Sequence, residues 1–141
     1  MSVPKGKRTT GVFETGTKAK ELLMHTLRIT KNENCFPVRY RYTVTNRIVN
    51  SANEVYGKVR KANAIFPTNA AEYQMRRKWQ LEAYAALDDL AGFIEVAHEM
   101  FSIDTDKIEY WTKLTRDVRY SIKRWVEGDL KRYKHLLKQA R

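Results

Sequence analysis

The chain has 141 residues and a mass of 16.6 kDa, with 27 Lys and Arg against 16 Asp and Glu and a formal net charge of +11. This length suits one domain, and a hydrophobic fraction of 43% excludes a disordered basic tail. Charged residues interrupt the sequence too often to leave a spanning helix of about 20 apolar residues, and no secretory signal is expected at the N-terminus. The single cysteine cannot form an internal disulfide, so we expect a cytoplasmic location.

The N-terminal segment predicts an arm followed by a first helix. Residues 1–16 contain Pro4, three glycines and scattered charges, which favours a flexible basic N-terminal arm ahead of a domain over residues 17–141. The first helix is predicted over residues 18–31, before a polar loop. Its apolar positions are Leu22, Leu23, Leu27 and Ile29.

A second helix is predicted over residues 38–63, where apolar residues recur at spacings of three and four after Pro37. Pro67 then breaks the chain. Asn69, followed three residues later by Glu72, resembles a capping box and predicts the start of the third helix. The apolar positions assigned to the second helix and its end are Val44, Ile48, Ala52, Val55, Val59, Ala62 and Phe66.

The third and fourth helices are separated by a predicted turn at residues 102–104, with Asp104 as the N-cap of the fourth. The third helix has a wide apolar face, because two neighbouring apolar stripes run along it. The sequence thus predicts an all-α fold, an antiparallel four-helix bundle whose fourth helix has a basic C-terminal end. The two stripes are Ala83, Leu87, Leu90, Ile94, Ala97 and Phe101, and Trp79, Ala86, Phe93 and Met100; the fourth helix carries Ile108, Trp111, Leu114, Val118, Ile122, Trp125, Leu130, Tyr133 and Leu137.

Positive charge is concentrated in two parts of the chain. Residues 36–67 contain six Lys and Arg against one acidic residue, and residues 102–141 contain eleven Lys and Arg against six acidic residues. Residues 68–101, in contrast, contain three Lys and Arg against six acidic residues. A clustered cationic surface attracts phosphates by releasing counterions, although an ordinary solvated helix face is the simpler alternative. The candidate contacts for nucleic acid or an acidic partner are Arg39, Arg41, Arg47, Lys58 and Lys61 on helix two, and Arg116, Arg119, Lys123, Lys131, Arg132 and Lys134 on helix four.

Aromatic residues are interleaved with these cations, and exposed rings could stack on the unpaired bases of RNA or single-stranded DNA. Trp125 and Tyr133 fall on the apolar stripe of helix four, which favours packing in the core. For Tyr40 and Tyr42 both interpretations stay open.

Three further patterns are weaker. Asn46, Asn50 and Asn53 form a polar stripe on helix two, which is either a binding surface or a solvated face. The pair Glu95-x-x-His98 resembles half of a bundle metal site, but no second pair accompanies it. Cys35 lacks a neighbouring His in the sequence. We therefore predict no catalytic residue, no metal and no cofactor, and we interpret the isolated glycines Gly57, Gly92 and Gly128 as sites of close helix approach.

Short segments in all four helices together resemble a known family. They are Phe36-Pro37 after the first helix, Tyr42 and Val44 in the second, Ala83-x-x-Ala86-Leu87-x-x-Leu90 in the third, and Arg119-Tyr120-Ser121-Ile122-Lys123-Arg124-Trp125 in the fourth. Over Thr17 to Lys134 the chain resembles the bacterial four-helix-bundle family of the accessory variability determinant proteins of diversity-generating retroelements and of the proteins encoded in ribosomal RNA intervening sequences. The intervening-sequence branch has a Ser-x-Pro-Ser-Asn-Ile-Ala-Glu-Gly motif in helix two. Here Ser51-Ala52-Asn53-Glu54-Val55 lacks the proline, which favours the retroelement branch.

The resemblance implies a barrel-shaped homopentamer of bundles with a positively charged surface. It further implies association with a reverse transcriptase and with RNA, DNA or an RNA/DNA hybrid, in support of mutagenic complementary DNA synthesis. The polymerase chemistry would belong to the partner. The alternatives are an oligomeric protein–protein adaptor, favoured by the wide apolar face of helix three, and an intervening-sequence-type protein that associates with ribosomal RNA without a reverse transcriptase.

Overall fold

Four helices pack against one another in the computed structural model, which describes residues 5–139 and the side chains of residues 14–138. The helices are α1 (Lys5–Thr30), α2 (Asn46–Asn63), α3 (Ala70–Met100) and α4 (Thr105–Gln139). Both α1 and α3 pack against α2 and α4, and the described residues contain no strand. The prediction of an all-α, four-helix domain is therefore confirmed. None of the described helices is long and apolar enough to cross a bilayer.

Helix α1 begins before the predicted domain boundary at Thr17. It starts at Lys5 and passes through Gly11 and Gly16, which lower helix propensity by about 1 kcal/mol each relative to Ala without ending a helix. Thr15 is buried, and its hydroxyl is hydrogen-bonded to that of Ser121 on α4 at 2.6 Å. The packed domain thus includes part of the predicted arm. Residues 1–4 and the side chains of residues 5–13 lie outside the described part, so a flexible basic arm stays a prediction.

The second helical segment covers the predicted residues 38–63 but changes pitch along its length. A 3-10 turn at Val38–Tyr40 leads into a π-helical turn at Arg41–Thr45, and α2 follows. The apolar series is buried from Val44 to Ala62, as its spacing predicts. Phe66 was expected to continue it and does not: α2 ends at Asn63, and the Phe66 side chain is 73% exposed in the following loop.

The capping motif at the start of α3 is confirmed, with one difference. The Asn69 side chain accepts a hydrogen bond from the backbone N–H of Glu72 at 2.9 Å, which makes it the N-cap. Glu72 reaches one residue further back than a capping box requires and accepts hydrogen bonds from the hydroxyl and the backbone N–H of Thr68. These two bonds favour the carboxylate and lower the pKa of Glu72.

The core follows the predicted stripes of α3 and of the first half of α4. Trp111 is fully buried, and its indole N–H donates to the hydroxyl of Thr26 at 3.0 Å, which satisfies the one polar atom of the ring. Thr26 in turn donates to the carbonyl of Leu22 within α1. The buried members of the predicted stripes are Ala83, Leu87, Leu90, Ile94, Ala97 and Phe101 on α3, and Ile108, Trp111, Leu114, Val118 and Ile122 on α4.

The helical glycines do not mark close helix contacts, contrary to the interpretation from the sequence. A Cβ atom added at Gly57, Gly92 or Gly128 would have no neighbour within 4 Å. Gly92 is exposed in the middle of α3, where a glycine costs backbone entropy and contributes no packing.

We expect Gly92→Ala to raise the free energy of unfolding by about 0.5–1 kcal/mol, because alanine restricts the unfolded chain and fits the open space. Urea denaturation followed by circular dichroism measures this change. A destabilised Gly92→Ala protein would contradict the open environment described here.

His25 is expected to make the stability of the fold depend on pH. It lies on α1 with its ring edge-on to Tyr110 at 4.9 Å and to Trp111 at 5.9 Å, and its Nε2 atom is buried without a hydrogen-bond partner. Burial lowers the pKa of His25, and the positive charge of Arg28 lowers it further. In the unfolded chain the imidazole of His25 binds a proton at about pH 6.5, whereas in the folded chain it binds that proton only at a lower pH.

Stability is accordingly expected to fall as the pH drops below about 6.5, since the unfolded state then binds more protons than the folded one. His25→Phe removes this proton and keeps an aromatic ring at the position. We expect the melting temperature of His25→Phe to fall less between about pH 7 and pH 5 than that of the wild type. If the melting temperatures of the two proteins fall equally with pH, the pKa of His25 does not change on folding.

Candidate nucleic-acid interface

The outward side of α4 carries a row of cations opposite the residues that α4 buries. With 3.6 residues per turn, Trp111, Val118 and Ile122 lie on one side of the helix, and Arg116, Lys123 and Lys134 lie on the other. The row extends over 22 residues, or about 33 Å at 1.5 Å per residue. We call it the α4 cationic face; its members are Arg116, Lys123, Arg124, Lys131, Lys134 and Lys138, all exposed.

The cations of this face have no close carboxylate partner in the described part of the chain: no Asp or Glu oxygen lies within 4.0 Å of them. Two acids lie on the same side of the helix between Arg116 and Lys138: Asp117 and the exposed Glu127. Asp117 pairs with Lys113 at 3.0 Å, and Glu14 pairs with Lys18, whose hydrogen bond and charge lower the pKa of Glu14 with a smaller contribution from Arg124. The exposed side of α4 therefore carries an excess of positive charge.

Tyr120 is the aromatic residue within this face. Its side chain is 63% exposed, and the Arg124 guanidinium lies 5.6 Å from its ring centre. An exposed ring flanked by cations is suited to stacking on a base while the cations contact phosphates.

Two of the six candidate contacts on helix four lie elsewhere. Arg119 is partly buried between α3 and α4, where its guanidinium is 3.6 Å from Asp88 and lies over the ring of Tyr84 at 5.9 Å. Arg132 is exposed but sits about 100° around the helix from Lys131, against the ring of Tyr133. Arg119 and Arg132 therefore lie outside the surface that the other four candidates share, which are Arg116, Lys123, Lys131 and Lys134.

The cations of helix two form a separate group. Lys58 is largely covered: it lies within 4 Å of Glu54 and Glu82, and its ammonium is 4.7 Å from the centre of the Trp79 ring. Lys61 is exposed and contacts the same ring at 4.9 Å. These lysine stems cover part of the wide apolar face that the sequence assigns to α3.

The remaining candidates of helix two are exposed. Arg47 stacks on Phe93 of α3 at 5.0 Å and lines a groove of about 530 Å³ between α2 and α3 that also contains Asn50. Arg39 and Arg41 lie in the 3-10 and π-helical turns. Because α2 and α4 both pack on α1 and α3, they occupy opposite corners of the bundle. The candidate residues therefore form two basic regions rather than one surface.

The aromatic residues divide as follows. Tyr42 is 83% exposed, whereas Tyr40 packs on Phe101 with ring centres 5.2 Å apart. Trp125 and Tyr133 are half-buried and lie on the guanidinium of one arginine, at 5.2 and 5.7 Å. The expectation that these last two pack inward is confirmed, although their partner is a buried charge.

That arginine is Arg76, the centre of a buried polar network that sequence reasoning missed. Its Nε and Nη2 donate to the two carboxylate oxygens of Asp129 at 2.6 and 3.0 Å, and its Nη1 donates to the carbonyl of Ile65. Gln80 donates a further hydrogen bond to Asp129 at 2.8 Å. The network joins the α2–α3 loop, α3 and α4. A signal was present, because Arg76 and Gln80 share the buried stripe of Tyr73 and Ala83.

The weak enzyme motif is on the surface. Glu95 and His98 are both exposed on α3, and the described residues contain no group of three or more His, Cys, Asp or Glu side chains arranged to hold a metal ion. Cys35 is buried, with the Lys107 ammonium 3.8 Å from its sulfur.

Comparison of the chain with family models, with curated proteins and with solved structures finds no match. The arrangement of side chains is therefore the basis on which function is argued below.

Proposed function

We propose that this chain is a non-catalytic nucleic-acid-binding accessory protein. The observation that carries the proposal is the α4 cationic face, with six exposed cations and the exposed ring of Tyr120 along about 33 Å of one helix. Cations repeated every one to two turns along a helix suit an extended polyanion better than a small charged ligand. Binding of such a strand releases counterions at each contacted phosphate.

The biological setting of the proposal comes from the family resemblance. In this proposal the chain acts in the cytoplasm with the reverse transcriptase of a diversity-generating retroelement and its template RNA, and it supports mutagenic complementary DNA synthesis. The short connections from α2 to α3, residues 64–69, and from α3 to α4, residues 101–104, support the antiparallel order expected for such a bundle. Arg39, Arg41, Arg47 and Lys61, on the opposite corner of the bundle, are available to a second acidic surface, such as that of the polymerase or of further RNA.

Fluorescence anisotropy with a short single-stranded RNA, measured over a series of salt concentrations, tests the nucleic-acid part. We expect the logarithm of the binding constant to fall linearly with the logarithm of the salt concentration, with a slope of about −0.7 for each phosphate contacted. Four to six contacts correspond to a slope of roughly −3 to −4. Binding that does not respond to salt, or no binding at low salt, would contradict the proposal.

The partner is tested separately by co-expression with the reverse transcriptase of the same locus. A tagged reverse transcriptase is expected to retain the chain after nuclease treatment if the two proteins contact each other directly. If nuclease treatment releases the chain from the tagged reverse transcriptase, the two proteins are joined only through nucleic acid. That result would contradict a direct contact with the polymerase and would leave nucleic-acid binding as the proposed function.

A homo-oligomeric adaptor is the second candidate function. Exposed apolar residues occur in pairs one turn apart, Met24 with Leu27 on α1 and Val96 with Met100 on α3, and such residues favour contact with another protein surface. Analytical ultracentrifugation distinguishes the cases. A pentamer or another closed ring would support oligomerisation, and a monomer at micromolar concentration would exclude both the adaptor and the pentamer.

A further inference from the structure

A small cavity lies in the groove between α3 and α4, next to the α4 cationic face. Its volume is about 230 Å³, and its apolar walls are formed by Leu81, Ile122 and Val126. Tyr84 supplies an aromatic side, and Lys123, a member of the α4 cationic face, stands at the mouth together with Glu127. Pockets for drug-sized ligands span about 300–1,000 Å³, so this cavity suits a single flat ring system.

One of the residues that line the cavity, Gln80, carries an unsatisfied hydrogen-bond acceptor. Gln80 lines the cavity with its side chain fully buried, and its Oε1 atom has no hydrogen-bond partner. The orientation of this amide is fixed by chemistry. The carboxylate of Asp129, bound by Arg76, can only accept, so the NH₂ group of Gln80 must face it and the oxygen must face away. A buried acceptor without a partner is costly, and a donor that enters the cavity would remove that cost.

Arg119 contacts the aromatic residue of the cavity but does not line the cavity itself. The Nε atom of Arg119 is buried without a partner, and the guanidinium lies over the ring of Tyr84 at 5.9 Å. The cavity thus presents an acceptor from Gln80 and the aromatic ring of Tyr84 between apolar walls. An unpaired nucleobase has the matching properties: a flat face that stacks, and an edge that carries both N–H donors and acceptors.

We propose that the cavity in the α3–α4 groove binds one unpaired base of a nucleic acid strand whose phosphates lie along the α4 cationic face. The base would stack against Tyr84 and donate a hydrogen bond to Oε1 of Gln80, while Lys123 contacts the adjoining phosphate. In a duplex the donor edges of the bases are already paired, so the cavity selects single strands over duplexes. This inference rests on the proposed function, because it requires that a strand bind to α4.

Filling the cavity tests the inference without disturbing the buried network. Val126→Phe places a ring in the cavity, and Leu130→Phe makes a similar addition at an exposed position of the same helix, outside the cavity. Gln80→Leu removes the acceptor, together with the hydrogen bond that Gln80 donates to Asp129 in the network. The probes are a short oligoadenylate RNA with one central 2-aminopurine, the DNA strand of the same sequence, and the corresponding RNA duplex.

We expect the wild type and Leu130→Phe to quench the 2-aminopurine fluorescence and to bind the single strand more tightly than the duplex. Val126→Phe and Gln80→Leu should lose the quenching and about tenfold of the single-strand affinity, while duplex binding stays within about twofold. Equal results with RNA and DNA would indicate that the cavity binds the base alone, and a preference for RNA would indicate a further contact to the ribose.

Unchanged quenching and unchanged single-strand affinity in Val126→Phe would overturn the inference. If Gln80→Leu loses its helical circular dichroism signal, the comparison of Val126→Phe with its control Leu130→Phe is the test of the inference. Failure of the proposed function has a different outcome, because the wild type would then bind neither the single strand nor the duplex at low salt.

Discussion

Replacement of Arg116, Lys123 and Lys131 by Glu is expected to reduce the affinity for single-stranded RNA by about a hundredfold at 0.1 M salt. Each phosphate contact on a single strand contributes about 0.7 to the slope of log affinity against log salt, so three lost contacts reduce the slope by about 2. The three residues are exposed and have no carboxylate within 4.0 Å in the described part of the chain, so their reversal breaks no ion pair of the fold. Unchanged helicity and melting temperature are therefore expected.

A matched control separates a local contact from the effect of net charge. Reversal of Lys20, Lys31 and Arg77 to Glu changes the net charge by the same amount, and all three are exposed on α1, in the loop after it, and on α3. We expect this control to lose no more than a few-fold in affinity. Equal losses in the two triple variants would mean that the strand responds to the overall charge of +11 and not to α4.

The largest expected effect on stability comes from Asp129. Its carboxylate is 3% exposed and binds the buried Arg76 through two hydrogen bonds, so Asp129→Ala leaves a guanidinium without a counter-ion in the interior. Removal of one partner of such a pair costs about 3–5 kcal/mol. Domains of this size have a free energy of unfolding of about 5–15 kcal/mol in total, so a large part of the stability would be lost.

Asp117→Ala is the control, because Asp117 pairs with Lys113 on the exposed part of the same helix and such pairs contribute about 0–1 kcal/mol. Urea denaturation of the two variants gives the comparison. Equal, small losses would show that water reaches Arg76 and that the network is not closed. The double replacement Arg76→Met with Asp129→Leu is expected to recover only part of the loss: it removes the unpaired buried charge, but it leaves the Gln80 amide and the Ile65 carbonyl without their partners.

The fold was largely predictable from apolar spacing, and the exceptions have local causes. The buried stripes of α2 and α3 follow spacings of three and four from Val44 to Ala62 and from Ala83 to Phe101. The same spacing assigned Leu130 to the core, but the neighbouring Asp129 takes the buried position and Leu130 is 44% exposed. A carboxylate displaces a leucine there because Arg76 and Gln80 offer three hydrogen bonds, and that compensation depends on a second helix.

The candidate site was predictable in composition but only partly in geometry. Periodicity within α4 places Arg116 and Lys123 on the outward side, and the structure does the same. Periodicity could not show that Arg119 pairs with Asp88, or that Lys58 lies between Glu54 and Glu82. Two of these partners, Asp88 and Glu82, belong to α3, and their position depends on how the helices pack. Charge runs along one helix can be found in the sequence, whereas their neutralisation by another helix depends on packing.

Photo-crosslinking of the wild type to a short single-stranded RNA, followed by mass spectrometry of the crosslinked peptides, tests the central claim most directly. The account predicts crosslinks concentrated between Arg116 and Lys138 of α4, with Tyr120 prominent among them because its ring is exposed within the α4 cationic face. Crosslinks that map instead to α1 or α2, with α4 unlabelled at saturating RNA, would contradict it.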